Sequence, residues 1–451
     1  MTVASKKEPV VLLLGDLLFF ASALWLTLFF RHFETPSIDA FYNHLTPFSF
    51  LFIVWILVFA IAGLYAKQTT ILKRKLTEVI LRAQIANVGI AAIFFFFIPY
   101  FGITPKTTLF IYLFTSFVLI YIWRVFLFSG LRSKRKNGAL LIGSGDEVDE
   151  LIAEVNRNGR YPLRFVAAVD VDTVDPLLLE KEIFGIIERE KVSVVVVDTQ
   201  HVNVEPLLPI LYDLSLLQVR LNVIDLGRTY EDIFDRVPLS FLRHTWLLEN
   251  VSASPKPVYD FIKRSMDIVV SLIGGVLSLV FYPFIFAAIK IEDGGKIFIS
   301  QERVGRNNKI VKIVKFRTMS GSDSGDKVLR SNLVVTRVGK ILRDFRIDEL
   351  PQLWNVLFGD LSFVGPRPEL PALVETYNER VPYYNVRHVI KPGLTGWAQV
   401  RHEKHPHHGT DVDATKEKLS YDLHYLKRRS FLLDIYIALQ TIKIVLTKSG
   451  K

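Results

Sequence analysis

Asp348 and Glu349 stand side by side in Arg346-Ile-Asp-Glu-Leu-Pro-Gln-Leu-Trp-Asn355. An apolar row at helical spacing follows them: Leu350, Leu353, Trp354 and Leu357. Pro351 is tolerated only in a helix's first turn, so the helix is predicted to start at about Leu350. Both carboxylates then lie at its N-terminus, where unpaired N–H groups and the helix dipole favour anions. An ionised carboxylate and a bound phosphate can share such a place. The plain alternative makes Asp348 an N-cap and Glu349 a solvated first-turn acid. That alternative prevails for an isolated Asp-Glu, but the neighbouring residues reverse it. Gly365-Pro-Arg-Pro368 presents Arg367 between two rigid residues, and its planar fork fits phosphoryl oxygens. Alone, Pro-Arg-Pro would read as a surface turn. The strand-like run Ile310–Met319 carries Lys312, Lys315 and Arg317. Lys315 and Arg317 face either the same anion or a membrane surface. Asp360 is either a second acidic site residue or a turn acid closing the helix.

The elements that carry these residues are set by composition. The chain has 451 residues, room for two or three domains. Half of it is hydrophobic, and a positive mean hydropathy points to membrane segments. The formal charge of +10 suits nucleic acid, anionic lipid or phosphorylated substrates. With no cysteine, disulfides, thiolate catalysis and Cys-built zinc sites are excluded. No cleavable signal peptide is read, because the first apolar run continues at spanning length. Four long apolar runs, Val10–Phe30, Phe48–Tyr65, Ile85–Phe101 and Thr107–Phe128, predict a transmembrane bundle over residues 1–131. Lys6 and Lys7, the loop from Lys67 to Arg82, and Arg132 to Lys136 are basic, whereas the other two loops are not. The positive-inside rule therefore places both ends of the bundle in the cytoplasm. No charged cluster is read inside the spans. Asp16 alone is read as a helix-contact residue, not a proton site.

Residues 132–250 predict a cytoplasmic α/β domain. Gly138–Ile142, Phe165–Asp170, Val192–Asp198 and Val219–Asp225 read as strands separated by helices, the pattern of a parallel sheet. Gly143-Ser-Gly145 resembles the opening of a dinucleotide fingerprint, with Asp170 in place for a ribose acid. Val148 occupies the third glycine position, so a nucleotide-free Rossmann-like module is favoured and no cofactor is assigned.

A second membrane element, residues 266–290, follows Lys263-Arg-Ser-Met-Asp267. It is long enough to span. Both flanks are basic, and Pro283 interrupts it downstream of Gly274 and Gly275. The reading is a re-entrant helix-break-helix; the alternative is a kinked fifth span. Near the end of the chain, Phe431–Leu446 is apolar but short, and reads as a membrane-surface or core-packing helix.

Phe298-Ile-Ser-Gln-Glu-Arg-Val-Gly-Arg306, the basic strand, the acidic pair, Gly365-Pro-Arg-Pro368 and Lys391-Pro-Gly-Leu-Thr-Gly-Trp-Ala-Gln399 together resemble the polyprenyl-phosphate hexose-1-phosphate transferases, the monotopic phosphoglycosyl transferases. The resemblance covers the catalytic part, drawn as residues 257–451. The spans and the middle sheet resemble the large multidomain subgroup. The resemblance implies a fold of a membrane helical bundle, a Rossmann-like domain and an α/β transferase domain with a re-entrant helix. It implies that Asp348 attacks the sugar-linked phosphorus of a UDP-sugar, expels UMP and passes the sugar-phosphate to a polyprenyl phosphate on the cytoplasmic face of the inner membrane. Ping-pong kinetics would follow. It implies Mg2+ held by Asp348 and Glu349, with Glu349 a ligand or base, and phosphate contacts from Arg367, Lys315, Arg317 and Asp422. Asp422 either joins them or orients Arg367. The implied partners are UDP-sugar and polyprenyl phosphate, not nucleic acid, with a homodimer through the middle domain.

Many relatives carry an Asn-Gly-Arg-like turn where this chain has Arg401-His-Glu-Lys-His-Pro-His-His408, so the sugar does not carry over. Those histidines lack the spacing of a metal site and read as a solvated loop. Two other classes stand against this reading. One is a membrane-anchored nucleotide-sugar dehydratase or epimerase, for which Tyr259 and Lys263 match Tyr-x-x-x-Lys but fall after the sheet. The other is a non-enzymatic, nucleotide-sensing scaffold.

Overall fold

The computed structural model describes residues 8–65, 73–98, 105–128, 136–159, 161–173, 176–213, 221–251, 256–320, 333–401 and 411–447. The chain divides into two compact units, Met1–Ile233 and Phe234–Lys451.

The first unit opens with α1 (Glu8–His32), α2 (Ile38–Ile61), α3 (Lys73–Phe97) and α4 (Pro105–Ile122), the last extended by a π-helical turn over Trp123–Leu127. Among the described residues, four helices are long and apolar enough to cross a membrane: Pro9–His32, Ile38–Ile61, Leu76–Phe97 and Thr107–Leu127. The second and third lie several residues earlier than the apolar runs alone suggest. Ser37 caps α2 by accepting from the Ala40 N–H at 3.2 Å, so the helix starts in a polar segment, and Gly63 at φ 79 follows its end. The bundle core stacks Phe20, Phe48, Phe52, Trp55, Phe59 and Tyr112. Two polar groups of the core reach backbone carbonyls across it: Trp55 donates to Asn87 O at 3.0 Å and Tyr112 to Phe20 O at 3.1 Å. The absence of a charged cluster needs correction. Asp16 meets Arg124 in a buried ion pair, Arg124 Nη1 donates to Leu64 O at 2.8 Å, and Tyr65 donates to Asp16 at 2.8 Å. Asp16 is a helix-contact residue, as read; its partner is 108 positions away.

The unit's second part is a parallel sheet of order β2-β1-β3-β4, with β1 Asn137–Ile142, β2 Leu163–Val169, β3 Val194–Val197 and β4 Asn222–Asp225. β3 is four buried valines, as a strand covered on both faces requires. Helices α5 (Asp146–Arg157), α6 (Pro176–Arg189), α7 (Leu208–Asp213) and α8 (Leu226–Phe234) connect and follow the strands. Gly145 (φ 98) caps α5, and a side chain at Gly143 would strike Leu226 at 2.8 Å. The first turn of α5 carries Asp146, Glu147 and Asp149, which would repel a diphosphate there. Asp170 accepts from its neighbour, the Asp172 N–H, at 3.0 Å.

In the second unit, α9 (His244–Asn250) contributes Trp246 to a core with Val237, Val304, Tyr377, Tyr384 and Leu423. Residues 234–250, drawn with the middle domain from sequence, thus pack within this unit. α10 (Pro257–Ser278) and α11 (Tyr282–Asp293) form an apolar pair bent by 57°. Pro283 lies in the first turn of α11, where its missing N–H costs no helix bond; the break itself is at residues 279–281. The antiparallel strands β5 (Phe298–Val304) and β6 (Ile310–Phe316) pair Phe298 with Phe316. The short strands β7 (Met319–Ser320) and β8 (Val334–Val335) lead to α12 (Arg337–Asp344). α13 (Gln352–Phe358), β9 (Ser362–Val364), α14 (Pro371–Arg380), β10 (Gly393–Thr395) and α15 (Trp397–Arg401) follow. α16 (Val412–Arg428) and α17 (Phe431–Thr447) complete the unit. α17 buries Asp434 and Ile437 and exposes Leu432 and Ile442, so it packs one face and bares another.

Candidate active site

The acidic pair sits on a 3₁₀ turn, Ile347–Glu349, not on the α-helix itself, which begins at Gln352 with Pro351 as its cap. The turn is launched by Arg346 in the left-handed region at φ 53, a conformation that non-glycine residues adopt at a cost of about 1–3 kcal/mol. Asn355 fastens α13 to β6. Its amide donates to Lys312 O at 2.8 Å and accepts from the Val314 N–H at 3.2 Å. This fixes the strand that carries Lys315, whose charge acts on Asp348. Arg264 of α10 secures the other end of α13, donating to Val356 O at 2.8 Å and Leu357 O at 2.7 Å. Leu353 and Trp354 pack over Gly274 and Gly275, where a methyl would touch them at 3.4 and 3.5 Å. The acidic turn is therefore tied directly to the bent apolar pair.

Asp348 is only 8% exposed, and among the described residues its carboxylate has no ion-pair partner. Burial and the adjacent Glu349 push its carboxyl up to about 6, against the pull of Lys315 and Arg343. Burial, with Arg303 nearby, lowers the Lys315 ammonium to about 8. Glu349 lies 3.4 Å from Arg346 and 3.8 Å from Arg367. Burial and the charge of Arg367 also lower the pKa of Arg303. Arg343 is directed by a bond to Thr318 Oγ1 at 2.9 Å, on a helix whose Gly339 is pressed against Thr318 O. Two carboxylates thus share one neighbourhood with Arg303, Lys315, Arg343, Arg346 and Arg367. The surplus of positive charge suits a polyanion.

The Arg367 loop is built by close backbone approach. Gly365 N donates to Thr395 O at 2.8 Å and Gly393 N to Pro366 O at 2.9 Å. A side chain at Gly393 would come within 2.1 Å of Gly365 N, and one at Gly396 within 2.2 Å of Gly365 O. The glycines of Lys391–Gln399 therefore serve to carry the Pro-Arg-Pro turn. Trp397 is buried, and its indole donates to Asp235 O at 2.7 Å. Beneath the loop, Arg387 Nη2 donates to Arg367 O at 3.0 Å and pairs with Asp422 at 2.7 Å. Arg387 Nη1 reaches Tyr384 Oη at 2.5 Å and lies 3.7 Å from Glu369, which pairs with Lys418. Burial opposes ionisation of Glu369, but Lys418 and Arg387 outweigh it and hold the carboxyl down to about 2. Arg303 Nη1 approaches Pro368 O at 3.4 Å.

The structure brings together Asp348, Glu349, Lys315 and Arg367. Arg317 departs from the sequence reading: its guanidinium pairs with Asp293 at the end of α11. Asp422, at 1% exposure, pairs with Arg387 and reaches Arg367 only through that residue, the second of the two roles read for it. Asp360 accepts from Asn355 at 3.1 Å, as a turn acid does. Tyr259 and Lys263 both donate to Asp434, at 2.9 and 3.0 Å, which ties α10 to α17. The loop His402–His408 lies outside the described residues. Sequence reasoning missed Arg303, Arg343 and Arg387; Arg303 did stand in a motif already singled out.

Among the described residues no group of three or more His, Cys, Asp or Glu could hold a metal ion. Asp348 and Glu349 supply two carboxylates. That fits magnesium, which takes one or two carboxylates and draws its other oxygens from water and substrate phosphate.

Residues 258–448 match the family model described as bacterial sugar transferase. A UDP-N-acetylgalactosamine-undecaprenyl-phosphate N-acetylgalactosaminephosphotransferase of Aeromonas hydrophila is 40% identical over 226 residues, 49% of this chain and 51% of that protein. A UDP-glucose:undecaprenyl-phosphate glucose-1-phosphate transferase of Caulobacter vibrioides is 39% identical over 200 residues, 43% of this chain and 73% of that protein. An undecaprenyl-phosphate glucose phosphotransferase of Komagataeibacter xylinus is 29% identical over 327 residues, 67% of this chain and 58% of that protein. The chain belongs to the bacterial sugar transferase family. It spans about half the length of the Aeromonas relative.

Proposed function

We propose that this protein transfers a sugar-1-phosphate from a UDP-sugar to undecaprenyl phosphate, the first step of building a surface polysaccharide. The observation that carries the proposal is the Asp348 carboxylate: buried, without an ion-pair partner among the described residues, and under the charge of Lys315 and Arg343. The reaction class follows from the names of the relatives, two of which specify different UDP-sugars.

Asp348 attacks the sugar-linked phosphorus. The bond to UMP breaks and its electron pair leaves with UMP, giving an acyl phosphate. An oxygen of the lipid phosphate then attacks the same phosphorus and frees the carboxylate. A carboxyl raised to about 6 is ionised at neutral pH yet more basic than an ordinary Asp, which suits a nucleophile. Arg367 and Arg346 neutralise the phosphoryl oxygens, and Lys315 faces the developing charge. Mg2+ held by Asp348 and Glu349 would supply charge neutralisation of the diphosphate when bound. Asp422 and Arg387 keep the Arg367 loop in position.

The bent α10–α11 pair acts as a re-entrant element at the cytoplasmic face of the inner membrane. Its support is the 57° bend, the basic flanks and the exposed Val269, Ile273, Val276, Leu277, Val280 and Phe284. The sheet after the bundle is a Rossmann-like module without nucleotide, supported by the acidic first turn of α5.

The test is donor-alone turnover. Purified protein with UDP-N-acetylgalactosamine or UDP-glucose, without lipid, releases about one UMP per protein and gains the mass of a sugar-phosphate on the peptide holding Asp348. Asp348→Asn abolishes both. UMP release that requires the lipid and leaves no adduct overturns the covalent step.

A further inference from the structure

A cavity of about 160 Å³ opens beside Glu349 and Arg346. Its walls are Leu350, Leu353, Leu394, Val400, Ile444 and Val445. Two polar wall residues, Thr395 and Thr441, bond to each other at 2.6 Å and so offer little to a ligand. An apolar cavity of about 150 Å³ holds a benzene-sized molecule. This one therefore takes about five branched carbons, with a charged group left at the Arg346 end.

The direction of approach narrows the occupant. Leu353 lines the cavity and also packs on Gly274 of α10, while Leu350 shares a cluster with Ile285 and Ile289 of α11. The cavity is thus walled off from the bent apolar pair by single side chains. Its far wall is α17, whose Ile442 is exposed. A chain lying along α17 meets apolar side chains such as Leu432 and Ile442, and Arg346 and Glu349 form the charged end of the cavity.

We propose that this cavity receives the phosphate-proximal isoprene unit of the lipid acceptor. The inference rests on the reading above, that a polyprenyl phosphate is the second substrate. It assigns Val400, Ile444 and Val445 to acceptor recognition and makes α17 part of the lipid site. One observation points elsewhere. Gln399 lines the cavity, and its buried Oε1 has no partner among the described residues, so the N–H of a nucleobase could use it.

The test uses the full chain in lipid nanodiscs, with UMP release measured at varied undecaprenyl phosphate and varied UDP-sugar. Val445→Phe fills the cavity and raises KM for the lipid on the order of tenfold or more. KM for the donor moves far less, and the donor-alone burst reports that the variant is folded. Val445→Ala, which leaves the packing loose without risk of overfilling, raises lipid KM a few-fold. Gln399→Leu makes the walls more apolar and lowers lipid KM. A rise in donor KM with Val445→Phe or Gln399→Leu, at unchanged lipid KM, overturns the proposal and assigns the cavity to the donor. Absence of a burst in the wild type refutes the covalent mechanism alone, since the KM comparison still judges the cavity.

Discussion

Asp348→Asn is expected to make a dead protein that is more stable than the wild type. Burial and Glu349 raise the Asp348 carboxyl from 3.8 to about 6. Each tenfold in proton affinity is worth about 1.4 kcal/mol, so holding this group ionised in the fold costs up to about 3 kcal/mol at pH 7. The attraction of Lys315 and Arg343 is already contained in that value. The sign follows from linkage. A carboxyl whose folded pKa lies above its unfolded one favours the fold where it is protonated. The penalty is therefore absent below about pH 4, grows from there to about pH 6, and is complete above. Asparagine keeps the shape and removes the charge. For a unit of this size, about 3 kcal/mol corresponds to roughly 6–12 °C in melting temperature. The assay is thermal unfolding of wild type and Asp348→Asn at pH 7.5 and at pH 4, with UMP release followed in parallel. The variant should melt higher at pH 7.5, match the wild type at pH 4 and release UMP at least about a thousandfold more slowly. Equal melting at pH 7.5, or the same gain at both pH values, would refute the claim that Asp348 is a strained, uncommitted charge.

The pH profile of kcat/KM should be bell-shaped, rising as Asp348 ionises near 6 and falling as Lys315 loses its proton near 8. Lys315→Met removes a cation that stabilises ionised Asp348, so the acidic limb should move to higher pH; an unmoved limb would separate the two residues. Arg387→Met strands Asp422 in the interior and leaves Glu369 to Lys418 alone, and should lower stability by about 3–5 kcal/mol in chemical denaturation. A loss under about 1 kcal/mol would mean that water replaces the guanidinium. Gly393→Ala places a methyl 2.1 Å from Gly365 N, so the Arg367 loop must shift. The expected result is a higher donor KM together with a lower melting temperature, and a neutral outcome in both assays would remove the close approach as the reason for that glycine.

The sequence by itself determined what local pattern can encode. The four apolar runs specify membrane-length helices because spanning requires an uninterrupted stretch. Strand-like apolar runs separated by helix-like segments specify the parallel sheet, although the starts of α2 and α3 were hidden in polar segments. The acidic pair, the basic strand and Pro366-Arg367-Pro368 were legible as parts, since residue type and spacing carry their chemistry. Tertiary structure alone decided which parts meet. Asp16 found Arg124 across the bundle, an encounter no window of sequence contains. Arg317 follows the end of β6 onto Asp293, whereas Lys315, two residues earlier, sits within reach of Asp348. Asp422 was seen as an acid near the site, but its partner Arg387, with Glu369 and Lys418, emerges only when the 3₁₀ turn Tyr384–Val389, α16 and the Pro-Arg-Pro loop close on one another. Charges are selected by what surrounds them in space, and burial, which sets Asp348 apart from a surface acid, exists only once the chain has folded.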